Sequence, residues 1–166
     1  MTALSARTAL GGVSALAVAA VVVALFTQHQ WGMLPCPWCV LQRLIFVVIG
    51  LAALPGALLN APAAKWLSVI SVLTLAASGI AAALWQHFVA ASSASCNLTL
   101  ADRIMNATGL SELWPQVFAP YASCADAAVS LAGLPYEFFS LALFAILGLL
   151  AVWAAVQRPP RSGFFR

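Results

Sequence analysis

Four apolar runs decide what this chain can fold into. They extend from about Leu10 to Phe26, Val40 to Leu59, Trp66 to Phe88 and Tyr136 to Val156. A helix needs about 20 predominantly apolar residues to cross a bilayer, with a lower limit near 17. In lipid only helices and closed barrels satisfy the backbone, and these runs lack the period-2 alternation of a barrel strand. Composition leaves no soluble alternative. Of the 166 residues 64% are hydrophobic and 7% charged, where a soluble domain carries roughly a quarter charged residues. The expectation is an all-α integral membrane protein, one four-helix bundle over residues 1–166 with spans at 10–26, 40–59, 66–88 and 136–156. Small residues within the spans (Gly11, Gly12, Ser14, Ser78, Gly79) suit close helix packing. The first run also has the outline of a signal peptide, with Arg7 ahead of an alanine-rich core, but it is longer than a usual signal core. The formal charge of +3 is scattered and forms no basic run, so nucleic acid is not an expected partner.

With four spans, both termini lie on one side together with the loop between the second and third spans. That side collects Arg7, Lys65, Arg158, Arg161 and Arg166. The acids Asp102, Glu112, Asp126 and Glu137 all fall on the other. Basic residues mark the cytoplasmic face. The termini are therefore expected inside, and the loops 27–39 and 89–135 outside. All four cysteines, Cys36, Cys39, Cys96 and Cys124, are then non-cytoplasmic, where disulfides form and persist.

The stretch Pro35–Arg43, "PCPWCVLQR", carries the strongest chemical signal. Proline suits the first position of a helix, so Pro37 predicts Cys36 at the N-cap and Cys39 in the first turn. First-turn N–H groups and the helix dipole favour an anion, and the thiolate is the reactive form of cysteine. Arg43 stands at i+4 from Cys39, on the same helix face. A cation just inside the membrane is a functional-site candidate, unless it snorkels to the interface. A disulfide within C-x-x-C closes a tiny loop and constrains little chain entropy, which argues against a purely structural pair. A zinc site would need four ligands; Cys96 and Cys124 are far apart and form no second C-x-x-C, so no metal is expected.

Cys96 and Cys124 lie in the long outer loop, where a disulfide between them could be no more than a staple. Between them Leu110, Leu113, Trp114, Val117, Phe118 and Tyr121 follow a helical apolar spacing. Pro115 forbids one uninterrupted helix, so a short helix is expected to begin near Trp114 or Pro115. It would lie on the membrane surface or pack on the top of the bundle. Two cysteine pairs on one side can exchange through a mixed disulfide. A dithiol couple only stores two electrons, so a lipid-soluble acceptor beside Cys39 and Arg43, for which quinone is the obvious choice, would complete the route.

These features resemble the DsbB family of bacterial disulfide bond formation proteins over nearly the whole chain. The likeness rests on four spans, C-x-x-C opening the second with Gln42-Arg43 after it, the later cysteine pair, and "WPQVF" (Trp114–Phe118) followed by Cys124. The family's common form is Pro-Cys-Pro-Leu-Cys; here Trp38 replaces the leucine. The resemblance implies a thiol:quinone oxidoreductase of the bacterial inner membrane, using ubiquinone or menaquinone, with its cysteine loops in the periplasm. It implies that Cys96 forms a mixed disulfide with a periplasmic thioredoxin-like partner of the DsbA type. Cys124 would then exchange with Cys36, and Cys39 would face the quinone. Arg43 would stabilise negative charge there. His87 matches a family histidine near the quinone and could donate a hydrogen bond or proton. A DsbA-type disulfide, at about −120 mV against about −270 mV for thioredoxin, needs a sink of higher potential than glutathione. Two alternatives differ in class. A vitamin K epoxide reductase-like enzyme has its C-x-x-C after the loop pair, the reverse of the order here. A thiolate metal-binding membrane protein would bind metal and lack thiol–quinone activity.

Overall fold

The computed structural model describes residues 5–90, 99–127, 129–131 and 133–157. Four helices are long and apolar enough to span: α1 (Ala6–Trp31), α2 (Pro37–Leu58), α3 (Pro62–Trp85, continued as a π-helical turn Gln86–Ala90) and α7 (Tyr136–Val156). The fourth span has the expected bounds. The first is longer at both ends, because the polar run Thr27-Gln28-His29-Gln30 stays helical beyond the apolar core. It ends where Gly32 takes φ +65° and donates its N–H to the Thr27 carbonyl, a left-handed cap that suits glycine.

Consecutive helices pack side by side and α7 closes the ring against α1. The centre is filled across the diagonal by Phe46 of α2 and Phe144 of α7, stacked at 4.0 Å and 3°. Gly79 of α3 makes room for that pair, since a Cβ there would lie 2.5 Å from the Phe144 ring. Ser14 Oγ bonds the Gly50 carbonyl at 3.0 Å and ties α1 to α2. Among the described residues the other small ones matter less, for Gly12 has nothing within 4 Å of an added Cβ and Ser78 bonds the Leu75 carbonyl of its own helix. Val22, Leu51, Leu67 and Leu149 point outward and are more than half exposed, a belt that suits lipid.

Two basic residues close the end that carries the termini. Arg7 donates to the Ala57 and Leu58 carbonyls, both at 3.0 Å. Lys65 donates to the Ala155 and Gln157 carbonyls. Each satisfies the last carbonyls of a helix, α2 and α7, where cations are favoured. In α2, Pro55 interrupts the last turn, and Ser68 Oγ accepts from the Gly56 N–H at 2.9 Å.

At the opposite end the long loop folds over the bundle. Its longest helix, α4 (Leu100–Thr108), opens on a capping box. Thr99 N donates to Asp102 Oδ2 at 2.8 Å and Asp102 N to Thr99 Oγ1 at 3.2 Å. Ala101 and Met105 bury the inner face of α4 on α2. Two single turns follow, α5 (Leu110–Leu113) and α6 (Pro115–Phe118), then a hairpin of β1 (Ser130–Leu131) and β2 (Leu134–Pro135). The expected helix does begin at Pro115 but is four residues long. The apolar stripe is broken at Pro115 and is not buried as one face: Phe118 is buried and Leu110 and Val117 pack on the core, while Leu113, Trp114 and Tyr121 are exposed.

Candidate active site

The first loop is short because Gly32 ends α1 and Pro37 starts α2. Cys36 is the N-cap of α2, its sulfur accepting from the Cys39 N–H at 3.3 Å. That places Cys39 in the first turn, one turn above Arg43. The outer loop is anchored to the same corner by Tyr121 N–H and Ala122 N–H, which both bond the Pro35 carbonyl, at 2.9 and 3.3 Å.

Three sulfurs therefore meet. Cys36, fully buried, lies 2.7 Å from the Cys39 sulfur and hydrogen-bonds the Cys124 sulfur on its other side. The Cys36 thiol is held far above the ordinary thiol range, first by its hydrogen bond to Cys124, then by that to Cys39 and by burial. Cys124 is pushed the other way, chiefly by the Cys36 hydrogen bond, with a further one from the Trp38 backbone. Cys36 keeps its proton and donates; its neighbours accept. Cys96 lies outside the described residues.

Arg43 does not snorkel. It is 6% exposed and donates to Gln28 Oε1 at 2.6 Å, the Val117 carbonyl at 3.2 Å and the Ala24 carbonyl at 3.4 Å. Among the described residues no carboxylate pairs with it. A buried guanidinium held by neutral acceptors keeps its positive charge uncompensated, which is costly unless it serves an anionic or oxygen-bearing group.

Arg43 and Cys39 share a cavity of about 380 Å³ between α1, α2 and α7. Gln42, Gln86, Tyr136 and Glu137 add polar groups, while Leu16, Val23, Phe26, Phe46 and Leu143 supply apolar walls. Few polar groups in an apolar hollow are the usual makings of a small-molecule site. His87 does not line the cavity. Its Nδ1 lies 2.7 Å from Glu137 Oε1, and its ring packs edge-on to Phe88 and Phe138. It reaches the cavity through Glu137, whose side chain is 8% exposed against 31% for His87.

Sequence reasoning missed Gln28, Gln86 and Glu137, and took Gln42 only as part of a family motif. Gln42 Nε2 donates to Gln86 Oε1 at 2.7 Å, and Gln86 Nε2 donates to Cys39 Sγ at 3.3 Å. The available signal was a polar side chain beside or within an apolar run, as Gln28 and Gln86 are. Trp38 is 6% exposed and packs on Trp85 at 6.4 Å. Its backbone touches Cys124, whereas its buried Nε1 has no hydrogen-bond partner among the described residues.

Comparison with known proteins adds an independent line. The sequence profile of the family described as "Disulfide bond formation protein DsbB" matches residues 6–154. The disulfide bond formation protein B of Ralstonia nicotianae is 33% identical over 152 residues, covering 90% of this chain and 93% of that protein. The protein of the same name from Verminephrobacter eiseniae is 33% identical over 167 residues, covering 93% and 92%. That of Nitrosospira multiformis is 30% identical over 139 residues, covering 81% and 82%.

Proposed function

This chain belongs to the DsbB family of disulfide bond formation proteins, and from that premise we propose that it draws electrons from a periplasmic DsbA-type dithiol protein and delivers them, through its cysteines, to a membrane quinone. It is an oxidoreductase that generates disulfides. The charge distribution supports an orientation in the inner membrane with termini in the cytoplasm and the cysteine end in the periplasm. The observation that carries the reading is the buried, uncompensated Arg43 in one apolar cavity with Cys39.

The cavity fits a quinone. Arg43 would hold a ring oxygen, Glu137 a second polar position, and the walls of α1 and α7 the apolar tail. A bound quinone supplies a sink for two electrons and two protons. The chain's own groups do the rest. A partner thiolate attacks Cys96 of a Cys96–Cys124 disulfide: the partner–Cys96 bond forms, the Cys96–Cys124 bond breaks and Cys124 leaves as thiolate, after which the partner's second thiol displaces Cys96 and closes the partner's disulfide. Cys124 attacks Cys36 of a Cys36–Cys39 disulfide: the Cys36–Cys124 bond forms, the Cys36–Cys39 bond breaks, and Cys39 keeps the electron pair. First-turn N–H groups and Arg43 favour that anion. His87, partly exposed, passes a proton from Nδ1 to Glu137 Oε1, which carries it to the cavity wall.

Arg43→Ala tests the reading. Quinone reduction by the purified protein is expected to fall about 100-fold, the scale for losing one preorganised charge-stabilising group, while thiol exchange with a reduced DsbA-type partner continues. Equal loss of both steps would instead mark a folding defect and remove the support.

A further inference from the structure

We propose that Gln86 is a catalytic residue of the thiol chemistry, its side-chain amide donating to the Cys39 sulfur and holding it as the reactive thiolate. The inference rests on the reading of Cys39 as the sulfur that receives the electron pair. It goes beyond that reading in naming a neutral donor in addition to Arg43.

The geometry places the amide nitrogen on the sulfur. Gln42 Nε2 donates to Gln86 Oε1 at 2.7 Å, so the oxygen of Gln86 is occupied and its Nε2 faces the sulfur at 3.3 Å. Both glutamines are buried, at 3% and 6% exposure. A buried amide is costly without partners, and here each partner is a member of the same short chain, Gln42 to Gln86 to Cys39. Gln86 is also where α3 becomes π-helical. Such turns are rare and recur at functional sites.

The surroundings of the sulfur are those of an anion. Its hydrogen-bond partners among the described residues are the Gln86 amide and the Cys36 thiol, which keeps its proton. No carbonyl or carboxylate among them accepts an S–H from Cys39. When the Cys36–Cys39 bond breaks and the Cys36–Cys124 bond forms, the electron pair stays on Cys39, and Gln86 meets it without giving up a proton. A neutral donor does this without adding a second charge to an apolar site. The titratable and charged groups facing this corner are Cys36 and Arg43 of α2, Cys124 of the loop with Asp102 of α4 beyond it, and Tyr136 and Glu137 of α7 with His87 behind. The α1 residues lining the cavity bring none.

The test is the alkylation rate of Cys39 by iodoacetamide, read at that residue by mass spectrometry, in the full-length reduced protein in detergent without quinone. In Gln86→Leu the rate at pH 7 is expected to fall about tenfold, the scale of one hydrogen bond to a charged group. Gln86→Glu, of the same size, is expected to slow it at least as much, because an ionised carboxylate cannot donate. The Gln86→Leu difference should close at pH 10, where a thiol ionises unaided, whereas the Gln86→Glu carboxylate also repels the thiolate and keeps slowing it there. An unchanged rate in both variants overturns the proposal, as does a slowing of Gln86→Leu that persists at pH 10, which would mean lost access. If Gln86→Leu does not fold, the rate of Gln86→Glu at pH 7 decides alone, and an unchanged rate overturns the proposal. The absence of quinone separates this result from the quinone reading, which fails or stands on quinone reduction by Arg43→Ala.

Discussion

Cys36 is placed to hand a proton bond to either neighbour. Buried between Cys39 and Cys124, it stays a thiol while the sulfurs beside it accept. The consequence is measurable at Cys124, which lies outside the spans. Its ionisation is held below the ordinary thiol value mainly by the Cys36 hydrogen bond. A group depressed in this way carries a larger thiolate fraction at neutral pH than a free cysteine does. Cys124 should therefore react with iodoacetamide at pH 7 faster, per exposed sulfur, than a free thiol. Cys36→Ala removes the donor, leaves burial acting the other way, and should slow the reaction several-fold, with the midpoint of its pH profile moving up. Arg43 follows a related logic. Its spacing from Cys39 was readable in "PCPWCVLQR", because an i+4 relation needs only a helix. Its partners were not: Gln28 lies 15 residues away and Val117 lies 74 away, and no local pattern reports a contact of that range.

The elements divide according to what their residues advertise. The spans were legible from length and apolarity, and the start of α2 from Pro37, because these are properties of one segment alone. The ends of α1 were not, since Thr27 to Gln30 carry no apolar signal and are helical through their contacts with α6 and α7. The helix α4 was overlooked although Thr99 and Asp102 spell a capping box, a signal independent of the apolar spacing that drew attention to Leu110–Tyr121. Close packing of α3 on α7 depends on Gly79. In Gly79→Ala the new methyl meets the Phe144 ring, itself stacked on Phe46. We expect a loss of about 1–3 kcal/mol, the usual cost of an overpacked core, seen as a lower thermal midpoint in detergent. Gly12→Ala, which meets nothing within 4 Å among the described residues, is the control and should not lower the midpoint, since alanine is the better helix former.

At the scale of the whole molecule the two ends do different work. Arg7 and Lys65 close the terminal end by capping α2 and α7, so basic residues of that end also hold the bundle. The other end gathers Cys36, Cys39 and Cys124 from two loops and one helix terminus, and opens a cavity beneath them. The account's central claim is that electrons leave the protein at Cys39. It is tested most directly by a single anaerobic turnover: fully reduced protein in nanodiscs receives one equivalent of quinone and no partner, and quinol is measured together with the disulfide formed. Wild type and Cys96→Ser should each yield about one quinol and one disulfide per chain, and Cys39→Ser should yield none. Quinol formed by Cys39→Ser at the wild-type yield would contradict the account.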